Sequence, residues 1–285
     1  MKLVRYGEHG EETPGILDSD GRIRSLAGHV ADIDGAALAP AYLEALRRID
    51  PSTLPPVAGT PRLGVPVAGV GKIIEVGLNY TDQAAEVGKP LPEEPILFAK
   101  AVTALNGSND PVVLPEGARK ADWEVKLAVV IGRTARSVGE AEALDHVAGY
   151  TIMNDLSERA WQFERGGQWI KGKSFDTFAP LGPWLVTRDE VPDPQNLRLW
   201  LSVNGVTRQD SHTSRMNFGV AAAIAYISRC MTLLAGDVVT TGTPAGIGNA
   251  AKPPVFLRPG DVIELGIEGL GEQRQQVRAW EDRGA

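Results

Sequence analysis

Residues 122–132 have the sequence Asp122-Trp123-Glu124-Val125-Lys126-Leu127-Ala128-Val129-Val130-Ile131-Gly132, whose alternation predicts a β-strand. Successive side chains of a strand point to opposite faces of the sheet. The even-numbered residues from Glu124 to Val130 are therefore expected on one face, and the apolar odd-numbered residues from Val125 to Ile131 on the other. The pattern places a carboxylate and an ammonium group in the same space.

A second acid follows another apolar segment. The run Val147-Ala148-Gly149-Tyr150-Thr151-Ile152-Met153 predicts a strand that ends at Asn154-Asp155. A polar side chain just beyond a strand end is well placed for chemistry, because the scaffold positions it. Asp155 is therefore a candidate for the same site as Glu124 and Lys126.

The composition indicates a globular protein. Of the 285 residues 43% are hydrophobic, and 32 Gly with 20 Pro suit a strand-rich chain with many turns. The 29 basic and 36 acidic residues give a net charge of -7 and are mixed along the sequence. The sequence has no basic block that could follow phosphates, so nucleic acid is not expected as a partner.

The chain is expected to be soluble and cytoplasmic, with no membrane partner. Residues 1–7 lack the apolar core of a signal peptide, and no apolar run approaches the ~20 residues needed to cross a bilayer. Cys230 is the single cysteine, so no disulfide can form within the chain. Its apolar helical surroundings predict a buried small hydrophobe rather than a nucleophile.

The pattern of elements predicts two parts. Residues 1–68 contain a small hairpin, a helix from about Gly35 to Arg48 and a proline-rich linker, and are expected to form a small N-terminal domain. Residues 69–285 contain many short strands and few helices, among them Leu156 to Phe163, and are expected to form a catalytic domain around a large mixed sheet. The predicted fold class is α+β, mainly β.

Five blocks occur in a fixed order: Gly77-Leu78-Asn79-Tyr80-Thr81-Asp82-Gln83-Ala84-Ala85-Glu86, Asp122 to Gly132, Asn154-Asp155, Gly172-Lys173-Ser174-Phe175-Asp176 and Thr241-Gly242-Thr243-Pro244-Ala245-Gly246-Ile247-Gly248. Over about residues 70 to 275 they resemble the fumarylacetoacetate hydrolase superfamily, more closely its bacterial members that act on acylpyruvates and 2,4-diketo-3-deoxy sugar acids. The resemblance implies a mixed β-roll behind a small N-terminal domain, a homodimer, and a small 2-oxo or 1,3-dicarbonyl acid as substrate.

By resemblance, two glutamates at the positions of Glu124 and residue 126, and an aspartate at the position of Asp155, hold Mg²⁺ or Mn²⁺. Here the middle residue is Lys126, and an ammonium group has no lone pair with which to bind a metal. Three carboxylates become two carboxylates and one ammonium, a local change from -3 to -1. We predict a metal-free centre in which Lys126 bridges Glu124 and Asp155 and polarises a substrate oxygen. A weakened metal site is the alternative.

A second departure concerns the residues that would activate water. The family carries a catalytic histidine at the position of Gln83 and, three residues later, a glutamate, here Glu86, in a short lid helix. The i, i+3 spacing places Gln83 and Glu86 on one helical face, so both are expected at the site. An amide neither accepts nor donates a proton near neutral pH, so Gln83 cannot act as the base.

The resemblance assigns other residues to the substrate. Lys173 corresponds to a lysine that contacts substrate or water, and Thr243 to a turn whose backbone and hydroxyl bind a carboxylate or oxyanion. Arg159 and Gln162 follow Asp155 by four and seven residues and would share its helical face. Lys100 is placed there by resemblance alone.

His212 is a candidate for the missing base. It precedes Thr213-Ser214-Arg215-Met216, whose Thr-Ser-x-Met pattern resembles a family loop that reaches the site. The other histidines, His9, His29 and His146, are expected to be surface or packing residues.

Three functions remain open from the sequence. The first is a metal-free enzyme in which Lys126 and Lys173 polarise an enolisable carbonyl and Glu86 or Asp155 moves a proton, giving C–C cleavage, decarboxylation or tautomerisation. The second is an ordinary Mg²⁺- or Mn²⁺-dependent hydrolase with a weakened or mutated site. The third is a non-catalytic protein that kept the pocket for small-molecule binding.

Overall fold

The computed structural model describes residues 1–282. Its strands are β1 Lys2–Tyr6, β2 Thr13–Leu17, β3 Ile23–Ser25, β4 Ile73–Gly77, β5 Ile96–Lys100, β6 Leu105–Gly107, β7 Val112–Val113, β8 Ala121–Asp122, β9 Val125–Ile131, β10 Val147–Asn154, β11 Ser157–Glu158, β12 Ala179–Thr187, β13 Arg198–Val203, β14 Val206–His212, β15 Val238–Thr240, β16 Val262–Ile267 and β17 Gly271–Arg278. Its α-helices are α1 Pro40–Arg47, α2 Thr81–Glu86, α3 Glu140–Ala143, α4 Arg159–Phe163, α5 Ile170–Lys173 and α6 Val220–Cys230.

Two large sheets build the fold. Within the described residues, ten strands form one sheet in the order β3-β2-β1-β12-β10-β9-β15-β4-β5, with β6 paired to β12. Five strands form the second, in the order β14-β13-β16-β17-β7, and β8 pairs with β11. The main hydrophobic core joins the two sheets, and residues such as Leu127 on β9 and Leu201 on β13 are fully buried in it. The predicted fold class, α+β and mainly β, is confirmed.

Strand β9 has the predicted alternation. Val125, Leu127, Val129 and Ile131 all belong to the main core. Ala128 and Val130 contribute to two other apolar clusters, and Lys126 points into the polar site described below. Every residue of β9 is buried, because the strand lies between β10 and β15 near the middle of the larger sheet. A charged side chain here must therefore be neutralised by partners.

The first residues of the chain extend the large sheet. Strand β1 pairs antiparallel with β12, and β2 and β3 continue the sheet outwards. An apolar cluster joins Leu3, Ile16 and Leu43 to Val130 and Leu185 of the body. The boundary at residue 68 stays a prediction, and the strands on its N-terminal side share a sheet with those beyond it.

Two predicted helices begin later than expected. Helix α1 starts at Pro40 rather than near Gly35, because the carboxylate of Asp34 accepts hydrogen bonds from the N–H groups of Ala36 and Ala37 and holds a turn there. Helix α4 starts at Arg159 rather than Leu156, since the preceding residues form β11 and the carboxylate of Glu158 caps the helix at Trp161 N–H, 2.9 Å away.

Cys230 was expected to be buried and is exposed. It is the last residue of α6, where the buried face of the helix has already ended at Ser228. Among the described residues, none of the helices combines the length and the apolar character needed to cross a membrane.

Candidate active site

The two central strands bring the predicted carboxylates together. Strands β9 and β10 run antiparallel, with Met153 opposite Lys126 and Asn154 opposite Val125. Glu124 therefore precedes one strand at the place where Asp155 follows the other, and Asp155 N–H donates to the carbonyl of Glu124 at 2.9 Å. This register explains why residues 31 positions apart in sequence share one site.

Helix α5 places Lys173 next to Glu124 and Asp155. A Cβ atom added at Gly172 would lie 2.5 Å from both Gln162 N and Glu158 O, so only glycine allows α5 to pack this closely against α4 and the strand before it. The close approach sets the ammonium group of Lys173 beside the carboxylates of Glu124 and Asp155.

Three lysines surround Asp155. Its Oδ1 accepts from Lys100 Nζ at 2.6 Å, and its Oδ2 accepts from Lys126 Nζ and Lys173 Nζ, each at 2.5 Å. Burial favours the neutral acid, but the three ammonium groups outweigh it and hold the pKa of Asp155 well below its ordinary value. Asp155 is therefore a fixed anion, and it is not among the residues that line the cavity described below. Its role as a proton carrier stays a prediction.

Glu124 is the second anion of the site. Its Oε1 accepts from Arg159 Nη2 at 2.6 Å, and its Oε2 lies 3.1 Å from Lys173 Nζ and 3.3 Å from Lys126 Nζ. Burial would raise the pKa of Glu124, but these three cations lower it overall. Glu124 is ionised at neutral pH.

Lys126 occupies the space between the carboxylates, as predicted. Its Nζ lies 2.5 Å from Asp155 Oδ2, 3.3 Å from Glu124 Oε2 and 3.6 Å from Glu75 Oε2. Burial would lower the pKa of Lys126, but Asp155, Glu75 and Glu124 together raise it above its ordinary value. The side chain is therefore a permanent cation and not an amine nucleophile.

Glu75 is a site residue that the sequence reasoning missed. It is fully buried on β4, where Oε1 accepts from Thr240 Oγ1 at 3.2 Å. Burial and the neighbouring Asp155 carboxylate raise the pKa of Glu75 to about 7, although Lys126 acts in the opposite direction. The available signal was a single acid inside the apolar run from Ile73 to Val76, which is unusual for an interior strand.

Asp122 was also missed, although it opens the decisive stretch of sequence. Its Oδ2 accepts from Arg159 Nε at 2.9 Å, and its carboxylate also accepts the N–H groups of Gly248 and Asn249 at 2.7 and 3.0 Å. Asp122 thereby joins Arg159 to the glycine-rich loop after β15. Burial opposes the charge of Arg159, but Asp122 and Glu124 raise its pKa above the ordinary value.

A cavity of about 420 Å³ opens directly onto this cluster. Its inner end is polar and buried. Its outer part is mainly apolar and partly exposed, and Lys89 and Asn249 are its exposed polar members. The lining residues are Val76, Gly77, Leu78, Gln83, Val87, Lys89, Ile96, Phe98, Glu124, Lys126, Arg159, Gln162, Phe163, Trp169, Lys173, Thr243, Ile247 and Asn249. The volume is within the range of small-molecule sites in proteins.

Gln83 lines the cavity, as predicted. Its side chain is 8% exposed, and its Oε1 is buried with no hydrogen-bond partner among the described residues. A buried acceptor without a donor is costly, so this oxygen is suited to a hydroxyl or water that enters with the substrate.

Glu86 and His212 do not reach the cavity. Both carboxylate oxygens of Glu86 lie 3.0 Å from Gly246 N, which holds this exposed side chain on the outside of the loop. His212 instead caps the short 3-10 helix Thr213–Arg215, where its Nδ1 accepts from Ser214 N–H at 3.2 Å. The expectation that Glu86 shares the site with Gln83 was wrong, because the Gly246 amide holds the carboxylate away. His212 is likewise outside the lining of the cavity, and its role as a base stays a prediction.

The predicted substrate-binding residues divide into two groups. Arg159 and Gln162 line the cavity, and Arg159 Nη1 donates to Gln162 Oε1 at 2.9 Å. They share a helical face with each other but not with Asp155, which precedes α4. Lys100 lies behind Asp155 and also donates to Leu156 O at 3.0 Å, so it supports the carboxylate and does not face the cavity.

Thr243 also lines the cavity, but its hydroxyl is already engaged. Oγ1 donates to Val125 O at 2.9 Å and accepts from Gln209 Nε2 at 2.9 Å. The predicted hydroxyl contact to substrate is therefore unavailable, because the only hydroxyl proton is directed at the backbone. The Thr243 hydroxyl fastens the loop to the first residue of β9.

The residues present do not fit a divalent metal. A hard cation needs oxygen atoms with unshared lone pairs directed at one point, yet all four oxygens of Glu124 and Asp155 already face ammonium or guanidinium groups. Lys126 Nζ sits between the two carboxylates. Within residues 1–282, no three His, Cys, Asp or Glu side chains are grouped so as to hold a metal ion.

The family model for the C-terminal part of fumarylacetoacetate (FAA) hydrolase matches residues 72–278. The chain belongs to the fumarylacetoacetate hydrolase family. A Burkholderia lata protein named "Putative hydrolase" is 60% identical over 279 residues, which cover 98% of this chain and 99% of that protein.

Solved structures share the fold across the whole chain. The fumarylacetoacetate hydrolase from Exiguobacterium antarcticum is 35% identical with a TM-score of 0.88, and covers 98% of this chain and 99% of its own. The 2-hydroxyhepta-2,4-diene-1,7-dioate isomerase from Mycobacterium marinum is 34% identical with a TM-score of 0.74 and the same coverage. Maleylpyruvate hydrolase from Sphingobium sp. SYK-6, in complex with manganese (II) ion and pyruvate, is 30% identical with a TM-score of 0.79 and again the same coverage.

Proposed function

We propose that this protein is an enzyme that stabilises the enolate of a small 2-oxo acid with lysine ammonium groups and without a metal. The observation that carries the proposal is the position of Lys126, with its Nζ 2.5 Å from Asp155 Oδ2 and 3.3 Å from Glu124 Oε2. Lys126 and Lys173 both line the cavity, so their positive charges face a bound carbonyl oxygen. Cations fixed in advance at a buried site stabilise developing negative charge effectively.

The substrate carboxylate and the 2-oxo group would bind at the inner end of the cavity. Three cations line this end, namely Lys126, Lys173 and Arg159. Gln162 adds a side-chain amide whose N–H groups make no hydrogen bond within the described part of the chain. Charge-assisted hydrogen bonds from these groups suit an anion with two adjacent oxygen functions.

Glu124 is the proposed proton acceptor. Among the described residues it is the carboxylate that lines the cavity, and this position, not its basicity, assigns it the role, because the cations that keep it ionised also lower its pKa. Glu124 would remove a proton from C3 of the 2-oxo acid as the electron pair moves to the carbonyl oxygen beside Lys126 or Lys173. The Glu124 carboxylic acid formed in this step would transfer its proton to the enolate oxygen, which gives the enol and restores the carboxylate. The unpartnered Gln83 Oε1 would accept a hydrogen bond from the enol hydroxyl.

Tautomerisation is favoured over C–C hydrolysis. Hydrolysis requires a further base that activates water. The amide of Gln83 cannot do so, Glu86 is turned outwards to Gly246, and Glu124 is assigned to the C3 proton. A neighbour that shares the fold is named as an isomerase, which supports proton transfer as chemistry available to this scaffold.

Two alternatives remain in view. Metal-dependent hydrolysis is supported by the name of the Burkholderia lata relative and by the Mn²⁺-containing maleylpyruvate hydrolase. Ligand binding without turnover is supported by the engagement of Lys126 with three carboxylates, which leaves few donors for a substrate.

Hydrogen–deuterium exchange at C3 of 2-oxobutanoate, followed by NMR in D₂O with EDTA, separates the three functions. The proposal predicts exchange that persists in EDTA and falls by at least about 100-fold in Lys126→Met and Glu124→Gln. Exchange or C–C cleavage that occurs only with added Mn²⁺ would instead indicate the metal-dependent hydrolase. Saturable binding of 2-oxobutanoate without exchange would indicate a binding protein.

A further inference from the structure

The outer part of the cavity has a different character from its inner end. The charged residues at the inner end are at most 5% exposed. Phe163 and Ile96 are 48% and 39% exposed and mark the mouth, and Val87 and Trp169, which also line the cavity, are half-buried. A ligand held by its anionic end must therefore extend along an apolar wall to leave the cavity.

An unbroken line of aromatic rings forms this wall. The Phe98 ring lies 4.9 Å from Lys126 Nζ and 5.2 Å from Lys173 Nζ, so it marks the border of the charged end. Trp169 meets Phe98 edge to face at 5.1 Å and meets Phe163 edge to face at 5.9 Å. The three rings run from the lysines to the mouth of the cavity.

The position of Trp169 is fixed by the strand behind it. A Cβ atom at Gly77 would lie only 3.1 Å from the indole ring, so the glycine at the end of β4 admits the ring against the backbone. Trp169 immediately precedes α5, which carries Lys173. Trp169 of the apolar wall and Lys173 of the charged end therefore lie on one short segment of the chain.

Charge is sparse along this wall. Within the described part of the chain, Lys89 is the charged side chain that lines the outer half of the cavity, and it is exposed to solvent. A distal carboxylate would leave bulk water for apolar and aromatic surroundings with one solvated partner, which is unfavourable. An apolar or aryl group would remove both itself and the exposed Phe163 and Ile96 surfaces from water.

We infer that the substrate is a 2-oxo acid with an aryl or similarly apolar tail, and that Trp169, Phe163 and Phe98 select this tail. The inference rests on the proposed function, because it assumes that the 2-oxo acid end is held by Lys126, Lys173 and Arg159. The tail then lies along the aromatic wall with its end near Phe163.

Calorimetric titration of three ligands that share one head group tests the inference: 2-oxobutanoate, 2-oxo-4-phenylbutanoate and 2-oxoadipate. We expect the phenyl compound to bind at least about tenfold more tightly than 2-oxobutanoate. 2-Oxoadipate, which carries a distal carboxylate, should bind no more tightly than 2-oxobutanoate.

Variants of the wall separate tail recognition from head recognition. The affinities for the phenyl compound and for 2-oxobutanoate are compared within each variant. Trp169→Ala and Phe163→Ala should each lose most of the tenfold difference between these two ligands, and Trp169→Phe should keep most of it. Tyr42→Ala is the matched control, because Tyr42 is a similarly exposed aromatic residue, 55% accessible, outside this cavity. Lys173→Met should weaken all three ligands alike.

The outcomes distinguish the two levels of the proposal. Binding of 2-oxobutanoate without any gain from the phenyl group, tighter binding of 2-oxoadipate, or a gain that survives Trp169→Ala overturns the assignment of the tail and leaves the head-group site intact. Failure of all three ligands to bind overturns the head-group site and the tail assignment with it. Tight binding of the phenyl compound without C3 exchange supports the tail assignment and contradicts only the enzymatic role.

Discussion

Replacement of Lys126 by methionine should expose how strongly the buried cluster depends on this ammonium group. Methionine keeps an unbranched side chain that can fill the same space, so the change removes mainly the charge. Asp155, Glu124 and Glu75 would lose a cation at 2.5, 3.3 and 3.6 Å, respectively. Removing one member of a buried ion pair typically costs about 3–5 kcal/mol of folding free energy.

Glu75 should reduce that cost. With a pKa of about 7 it takes up a proton readily near neutral pH, and it does so more readily once Lys126 is gone. We therefore expect a loss of about 3 kcal/mol at pH 7. Because the wild-type Glu75 ionises above pH 7 and the variant retains its proton, the loss should grow by up to about 1.4 kcal/mol per pH unit above pH 7.

Urea unfolding followed by circular dichroism at pH 6, 7 and 8 measures the effect. Lys120→Met is the control, since Lys120 pairs with Glu164 while 39% and 56% of the two side chains stay exposed, and it should cost less than about 1 kcal/mol. In the Glu75→Gln background, Lys126→Met should cost less unfolding free energy than it does in the wild type. The proposed charge balance would be refuted if Lys126→Met lowered the unfolding free energy by less than about 1 kcal/mol at pH 8. It would also be refuted if Lys126→Met cost the same in the wild type and in the Glu75→Gln background.

Four further outcomes are expected. Glu75 has a folded-state pKa above its ordinary value of 4.5, so its stabilising contribution is complete below pH 4.5 and is lost as pH rises to about 7. The unfolding free energy of the wild type should therefore fall by about 3 kcal/mol across that window. Urea titrations of Glu75→Gln should show no such fall. Arg159→Lys cannot reproduce the fork that joins Asp122 and Glu124, so urea unfolding should show a loss of about 2 kcal/mol and calorimetry weaker binding of 2-oxobutanoate. Gly172→Ala forces α5 away from α4, and the C3 exchange rate should drop at least about tenfold while a thermal melt stays cooperative. Glu86→Gln lies outside the cavity, and its exchange rate should stay within about twofold of the wild type; a large loss would return Glu86 to the chemistry.

The strands at the centre of the site could be predicted because their signals are local. The alternation from Glu124 to Ile131 determines which β9 side chains reach the core, and the structure follows it residue by residue. The apolar run that ends at Asp155 indicated the partner strand. The pairing of these two strands is not a local signal; the resemblance of the ordered motif blocks to the fumarylacetoacetate hydrolase superfamily predicts that Glu124, residue 126 and Asp155 share one site, and the antiparallel register brings them together.

The remaining site residues depend on contacts between distant segments. Glu86 and Gln83 have the spacing of helical neighbours, but the N–H of Gly246, 160 residues away, holds the Glu86 carboxylate outside. His212 is similarly committed to Ser214. Glu75 on β4 lies near the site because β15 pairs with both β4 and β9. Pairing between strands that are far apart in sequence leaves no signal in the local periodicity.

Calorimetric titration of Mn²⁺ into EDTA-treated wild-type protein tests directly whether Lys126 occupies the place of a metal. Because Lys126, Lys173, Lys100 and Arg159 already neutralise Asp155 and Glu124, we expect no saturable binding tighter than about 1 mM near pH 7.5, and a gain of binding in Lys126→Glu. Stoichiometric binding of Mn²⁺ to the wild type with micromolar or tighter affinity would contradict the metal-free centre.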